Sequence, residues 1–385
     1  MTFTAINFTC SSCGAPQKFS PLTGKLTCEF CRKQTDIEFS QDIIHEYDFD
    51  EAIVTLNTQK NQVIEKNIKC KKCGGTFTLT PYSFSSNCPY CDTPAITDFI
   101  REITPKSLIP FTLTHTQAQV LFKKWVGSRW FAPSAFKKYL DGENTLTGYY
   151  LPYWTYDSDT TSPYRGLRGD IYHVTVSKTV VQNGRQRQIR VQEPRIRWIP
   201  VSGTVYVSFD DVTIGASKTI SRAILDSLEP WDTQALLPFD EKYLSGFEAE
   251  EYTIGLDNGF EFAKAKMSYK IKKNIRYDIG GDQQQIQQIN TRHDDVTYKN
   301  VLFPVWTASF KWKNKEYYYA INAQSGKVVG ERPYSTTKII LAVLAVLSVV
   351  GVFLYMNNED VLQELMQGSK FGYHVGLVST QILIP

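Results

Sequence analysis

The chain has 385 residues, 42% of them hydrophobic and 13% aromatic, which is ample for one large core or two small ones. Its formal charge of +3 carries no bulk excess of either sign, so a nucleic-acid reading has to rest on a local basic footprint. The eight cysteines all fall in the first quarter of the chain.

Cys10, Cys13, Cys28 and Cys31 read C-x2-C-x14-C-x2-C, and Cys70, Cys73, Cys88 and Cys91 repeat that frame without an insertion. A C-x2-C turn lets two thiolates converge on one ion, and two such turns joined by a short antiparallel sheet complete a tetrahedral site. Gly14 and the Gly74-Gly75 pair suit the left-handed backbone of such a knuckle. Between the pairs, QKFS and TFTLT alternate as strands do. The expectation is two small four-cysteine zinc ribbons, about 8–39 and 68–98, each holding one structural zinc ion with no open coordination position. Four disulfides are the competing use of eight cysteines. They belong to secreted chains, and MTFTAINFTC has neither the basic nor the apolar region of a secretory signal.

Residues 1–100 carry nine Lys and Arg against eleven Asp and Glu, a poor match for phosphate, with only Lys69, Lys71 and Lys72 clustered at a knuckle. In the connector HEYDFDEAIVTL, Ile43, Phe49, Ile53 and Leu56 recur at near-helical spacing. It reads as a short helix packing one ribbon on the other.

Residues 101–337 are expected to form a mostly antiparallel α+β domain, joined to the ribbons through ITPKSLIPF. THTQAQVLFKKWV opens with a threonine cap and reads as a helix with Val120, Leu121, Lys124 and Trp125 on its periodic face. GYYLPYWTYD starts a strand region that runs to about Phe209 and includes a hairpin turning at Asn183-Gly184. SKTISRAILDSL and NGFEFAKAKMSYKIKK read as helices, the latter with Phe260, Ala263, Met267 and Ile271 on one side, before a return to strands at VLFPVWTASF. LPYWT and FPVWT share a Pro-x-Trp-Thr core and read as a diverged internal repeat. Arg165, Arg168, Lys178, Arg185, Arg187, Arg190, Arg195 and Arg197 stand against only Asp170 and Glu193. That cluster fits anionic lipid or an acidic partner, or else a guarded sheet edge.

From Ile339 to Met356 no residue is charged, long enough for a transmembrane helix over 338–356. Lys327, Arg332 and Lys338 precede it and Glu359, Asp360 and Glu364 follow. The positive-inside bias predicts a single-pass cell-membrane protein with cytoplasmic N-terminal domains, where a reducing environment keeps thiolates free for zinc. The tail, 357–385, has no assigned role.

No phosphate loop, H-E-x-x-H, G-x-S-x-G or dinucleotide fingerprint occurs. His45, His115, His173, His293 and His374 lack ligand spacing, and DIGGD, residues 278 to 282, reads as a turn with solvated aspartates. No catalytic residue or organic cofactor is expected, and no small-molecule substrate is identified.

The series GYYLPYWTYD, WIPVSGTVYVSFDDV, LEPWDTQALLPFDEKYLSGFEAEEY, IRYDIGGD, LFPVWTASF and NAQSGKVVGERPYS resembles a bacterial family of membrane-anchored tandem zinc-ribbon proteins. Its members are often labelled primosomal protein N-prime (replication factor Y), superfamily II helicase, or TFIIB-type zinc ribbon proteins. The resemblance runs from the first ribbon to the start of the span, and the eight cysteines match the family frame one by one. Helicase activity is not carried over, because the chain has no ATP-binding motif. The resemblance implies a non-enzymatic adaptor that recruits phage-shock-protein-A-like and SPFH (flotillin-like) proteins to the membrane in envelope stress. The competing expectation is a membrane-tethered nucleic-acid-binding protein linked to replication.

Overall fold

The computed structural model describes residues 2–4, 6–38, 43–56, 66–79, 82–97, 104–134, 146–182 and 185–357. Residues 358–385 of the tail, His374 among them, and the Asn183-Gly184 turn lie outside them. The chain divides into two compact units, one of residues 1–125 with 143–331 and one of residues 126–142 with 332–385. The fold is mixed α+β and built on one large sheet.

In the first unit, β1 (Thr2–Thr4) precedes the first cysteine frame, whose strands β2 (Gln17–Ser20), β3 (Lys25–Cys28) and β4 (Gln34–Thr35) make a small antiparallel sheet. Next come β5 (Tyr47–Asp48) and α1 (Phe49–Leu56). The second frame contains β6 (Lys66–Lys69), β7 (Thr76–Leu79), β8 (Ser83–Asn87) and β9 (Pro94–Ile96). β1 adds in parallel to β6, which pairs in turn with β7.

The large sheet takes in β10 (Ser107–Leu108), β11 (Thr147–Gln182), β12 (Arg185–Gly215), β13 (Leu237–Pro238), β14 (Glu248–Glu250), β15 (Gln283–Ile289), β16 (Arg292–Trp312), β17 (Lys315–Asn322) and β18 (Val328–Gly330). β8 and β9 belong to it as well, through the pairing of β8 with β14, so the second frame shares a sheet with the residues that follow it.

Both faces of the sheet are covered, which explains why LPYWTY shows no polar alternation. Trp154 and Tyr156 face a helix on one side, and Leu151 and Tyr153 face a second core on the other. Of α2 (His115–Gly127), α3 (Arg222–Ser227) and α4 (Leu256–Ile279), the last buries the expected stripe of Phe260, Ala263, Met267 and Ile271, extended by Ile275 and Ile279.

Four local expectations change. In α2 the buried face is Ala118, Phe122 and Val126, while Val120 is 61% exposed, because Phe122 stacks on Tyr319 with centroids 3.9 Å apart. α3 is shorter than its apolar pattern, since Ser217 and Thr219 turn their hydroxyls to Glu250 instead of entering a helix. α1 does not join the ribbons: Phe49 lies 4.6 Å from the Phe260 ring, and Ala52 and Ile53 pack on the same core. The DIGGD aspartates are engaged, Asp278 accepting from the Tyr164 hydroxyl at 2.6 Å and Asp282 from the Ile171 amide at 2.7 Å.

Pro152 and Pro304 explain the repeated Pro-x-Trp-Thr. Before Pro152, Tyr149 and Tyr150 pair in parallel with β14; from Tyr153 onward the neighbour is β12, antiparallel. Before Pro304, Val301 and Leu302 pair in parallel with β10; from Val305 the neighbour is β17, antiparallel. Lacking an N–H, proline fits a central strand where the neighbouring ladder is interrupted.

The match continues atom by atom. Ala216 and Ala323 amides donate to the Pro152 and Pro304 carbonyls at 2.8 and 3.0 Å. Trp154 and Trp306 each donate Nε1–H at 3.0 Å, to the Ile254 and Leu113 carbonyls. The Thr253 and Thr112 hydroxyls donate to the carbonyls of Ala216 and Ala323. A short strand, a helix and a hairpin therefore occur twice, as β10–α2–β11–β12 and β14–α4–β16–β17, and each short strand pairs with the hairpin of the other copy.

Gly259 of α4 takes the place that Ala118 holds in α2. A Cβ there would lie 2.3 Å from the Tyr156 hydroxyl oxygen and 2.9 Å from the Trp154 ring. Alanine normally favours a helix over glycine by about 1 kcal/mol. Here overpacking reverses the sign, and Gly259→Ala is expected to lose about 1–3 kcal/mol in urea denaturation.

In the second unit, α5 (Thr336–Asn357) starts two residues before the expected span. From Ile339 to Leu354 no residue is charged, and across 336–354 none is buried, so the helix is long and apolar enough to cross a membrane. The Ser335 amide donates to the Phe131 carbonyl at 2.8 Å, and Lys338 Nζ donates to the carbonyls of Trp130 and Ala132.

Candidate metal centres

Each C-x2-C closes into the same turn. Gly14 and Arg32 amides donate to the carbonyls of Cys10 and Cys28, and Gly74 and Asp92 amides to those of Cys70 and Cys88, at 2.8–3.0 Å. The donor has positive φ in all four turns: 70° at Gly14, 62° at Arg32, 74° at Gly74 and 53° at Asp92. Glycine meets that requirement freely in two knuckles, while Arg32 and Asp92 carry some strain in the others.

The turns bring the eight expected ligands together in two groups of four, each with its ligand atoms within 4.8 Å of one another. Sγ separations are 3.5 Å for Cys10–Cys31, Cys13–Cys28 and Cys13–Cys31, and 3.7 and 3.8 Å for Cys70–Cys91 and Cys73–Cys88. A tetrahedron with zinc–sulfur bonds of about 2.3 Å has edges of about 3.8 Å. All eight thiols are free, and the first cysteine of every pair is buried. Each group is able to hold one zinc ion.

Electrostatics in the two groups favour a cation. The Ser12 amide leads in lowering the Cys10 thiol to about 6, and the Thr93 hydroxyl leads in lowering Cys91 to about 6. The Ala15 amide favours the Cys13 thiolate, yet the neighbouring thiols Cys28 and Cys31 push it up to about 12; burial raises Cys88 to about 12. Without a metal the four sulfurs of a group cannot all ionise, and a divalent cation removes that conflict.

The first frame docks on its surroundings through Phe19, 5.1 Å from the Tyr243 ring, and through the Ser245 hydroxyl, which donates to the Gln17 carbonyl at 2.7 Å. Lys18 reaches across to Asp92 of the second frame at 2.8 Å. Of the lysine cluster, Lys72 stands 5.9 Å from the Phe30 ring.

The basic hairpin projects from the sheet. Beyond Gly169, which pairs with the first residue of β15, β11 and β12 pair only with each other among the described residues. Arg187, Arg190, Arg195 and Arg197 are exposed there, with Lys178 bound to Glu193 at 2.6 Å.

A third group has no signal in sequence spacing: Glu46, Asp157 and Asp210 also converge. Here a fixed cation is already supplied, since the 8%-exposed Lys299 ammonium lies 2.8 Å from Glu46, 2.8 Å from Asp211 and 3.6 Å from Asp157. Burial works against the charged lysine, but Asp211 and Glu46 outweigh it and hold its pKa above the usual lysine range.

No family model matches the chain, and no solved structure matches it. Over 342 residues it is 26% identical to a Bacillus subtilis (strain 168) protein described as the uncharacterized protein YdjG, covering 87% of this chain and 92% of that one. The similarity spans most of both chains and names no activity.

Proposed function

We propose that the protein is a non-enzymatic, membrane-anchored adaptor whose zinc-stiffened ribbons, facing the cytoplasm, recruit partner proteins to the bilayer. The observation that carries this reading is the presence in one chain of two four-thiol groups and a helix over 336–354 with apolar composition and no buried residue. Four thiolates leave zinc no open position for substrate, which suits a structural ion better than a catalytic one. The partners that fit the resemblance are phage-shock-protein-A-like coiled coils and SPFH proteins, acting in envelope stress.

The test is a cross-linked pull-down from native membranes, with Cys70→Ser/Cys73→Ser as the control. Recovery of coiled-coil or SPFH proteins that falls at least tenfold in the control supports the adaptor. Recovery of DNA or RNA that declines steeply with salt overturns it in favour of the nucleic-acid reading, for which the exposed arginines of the hairpin would be the footprint.

A further inference from the structure

We propose that a cleft between β11, β14, β16 and β17 binds a primary alkylammonium group. The cleft has a volume of about 360 Å³, and its wall includes Thr147, Tyr149, Glu250, Thr307, Ser309 and Tyr318. Glu250 is 8% exposed. The Ser217 hydroxyl donates to its carboxylate at 2.6 Å and the Thr219 hydroxyl at 2.7 and 2.8 Å. Two neutral donors fix the carboxylate but do not balance its charge.

Among the described residues Glu250 forms no ion pair, and burial, helped by the charge of Glu248, raises its pKa. The duplicated fold shows that nothing in the architecture calls for an acid at this point. The residue equivalent to Glu250 in the other copy, counted from the matching parallel pairs, is Ile109, 1% exposed in an apolar core. One copy keeps hydrocarbon where the other keeps a desolvated carboxylate beside an open cleft.

A primary ammonium suits this wall. It donates an N–H to the acceptor capacity that Glu250 has left, beside the Thr219 hydroxyl that lines the same cleft, while Thr147, Thr307 and Ser309 add hydroxyls farther along the wall. Tyr149 and Tyr318 supply aromatic rings, which attract cations. Ile220 and Ile224 offer apolar surface to an alkyl stem. Such a group comes either from a free amine or from a lysine side chain of a docking protein.

Calorimetric titration of the full chain in detergent micelles, at constant ionic strength, uses n-butylammonium chloride in one arm and the peptide acetyl-Ala-Lys-Ala-amide in the other. Saturable binding of at least one probe is expected, weakened at least tenfold by Glu250→Gln and unchanged by Glu261→Gln on the exposed side of α4. Binding of the amine alone identifies a free amine as the source, and binding of the peptide alone a protein lysine. If Glu250→Gln shifts the melting transition, Ser309→Leu, an exposed position that would fill the cleft, is expected to abolish binding with the transition unchanged. No saturation by either probe, or equal affinity in a folded variant, overturns the proposal.

Discussion

Stripping zinc from the protein with a chelator at neutral pH is expected to cost on the order of 10 kcal/mol per frame and to unfold both frames. The second loss reaches further than the first. β2, β3 and β4 form a sheet of their own, whereas β8 and β9 are strands of the large sheet and cover β14. Cys70→Ser with Cys73→Ser should therefore raise amide exchange in β14 as well as in β6 and β7, while Cys10→Ser with Cys13→Ser should leave β14 protected.

Metal analysis is expected to give two zinc ions per chain, and far fewer would sink the assignment. Loading is also expected to release protons. At pH 7 a Cys10 or Cys91 thiol held at about 6 is already ionised, whereas Cys13 and Cys88, raised to about 12, still carry their protons until the metal displaces them. Apparent affinity should then rise with pH, with a heat of binding that depends on the ionisation enthalpy of the buffer.

Lys299→Met is expected to lose about 3–5 kcal/mol in chemical denaturation at pH 7, because it strands carboxylates whose only close cation among the described residues is that ammonium. Asp157 and Asp211, 14% and 20% exposed, carry most of the effect, and the 46%-exposed Glu46 contributes less. Adding Asp211→Asn should recover part of the loss.

The sign with pH follows from the raised lysine pKa. Lys299's contribution is fully present below the unfolded lysine value of about 10.4 and is lost as pH rises through the higher folded value. Equal alkaline stability curves for wild type and Lys299→Met would show that the ammonium does not hold this corner together.

The cysteine frames and the apolar helix were legible because their information is local: ligand spacing in one case, composition over about 19 residues in the other. The α4 stripe was legible for the same reason, as a 3.6-residue period. Placement of the other pieces depends on partners far away in sequence. Nothing in HEYDFDEAIVTL announces that Phe49 will meet Phe260, and the Lys299 cluster draws on positions 46, 157 and 211. Pro-x-Trp-Thr was visible as a repeated word, but its meaning, a ladder interrupted twice in the same way, emerges only once β10 and β14 are seen on the opposite hairpins.

Exchange of those short strands also imposes an order of assembly on a chain made from one end. β14 finds β11 already synthesised, but Ser107 and Leu108 have no parallel partner until Val301 and Leu302 are made, about 190 residues later. At about 5–20 residues per second the wait is roughly 10–40 seconds. During that interval the first copy has an open strand and an apolar face, a hazard for aggregation, and the sheet can seal only when most of the first unit has been made.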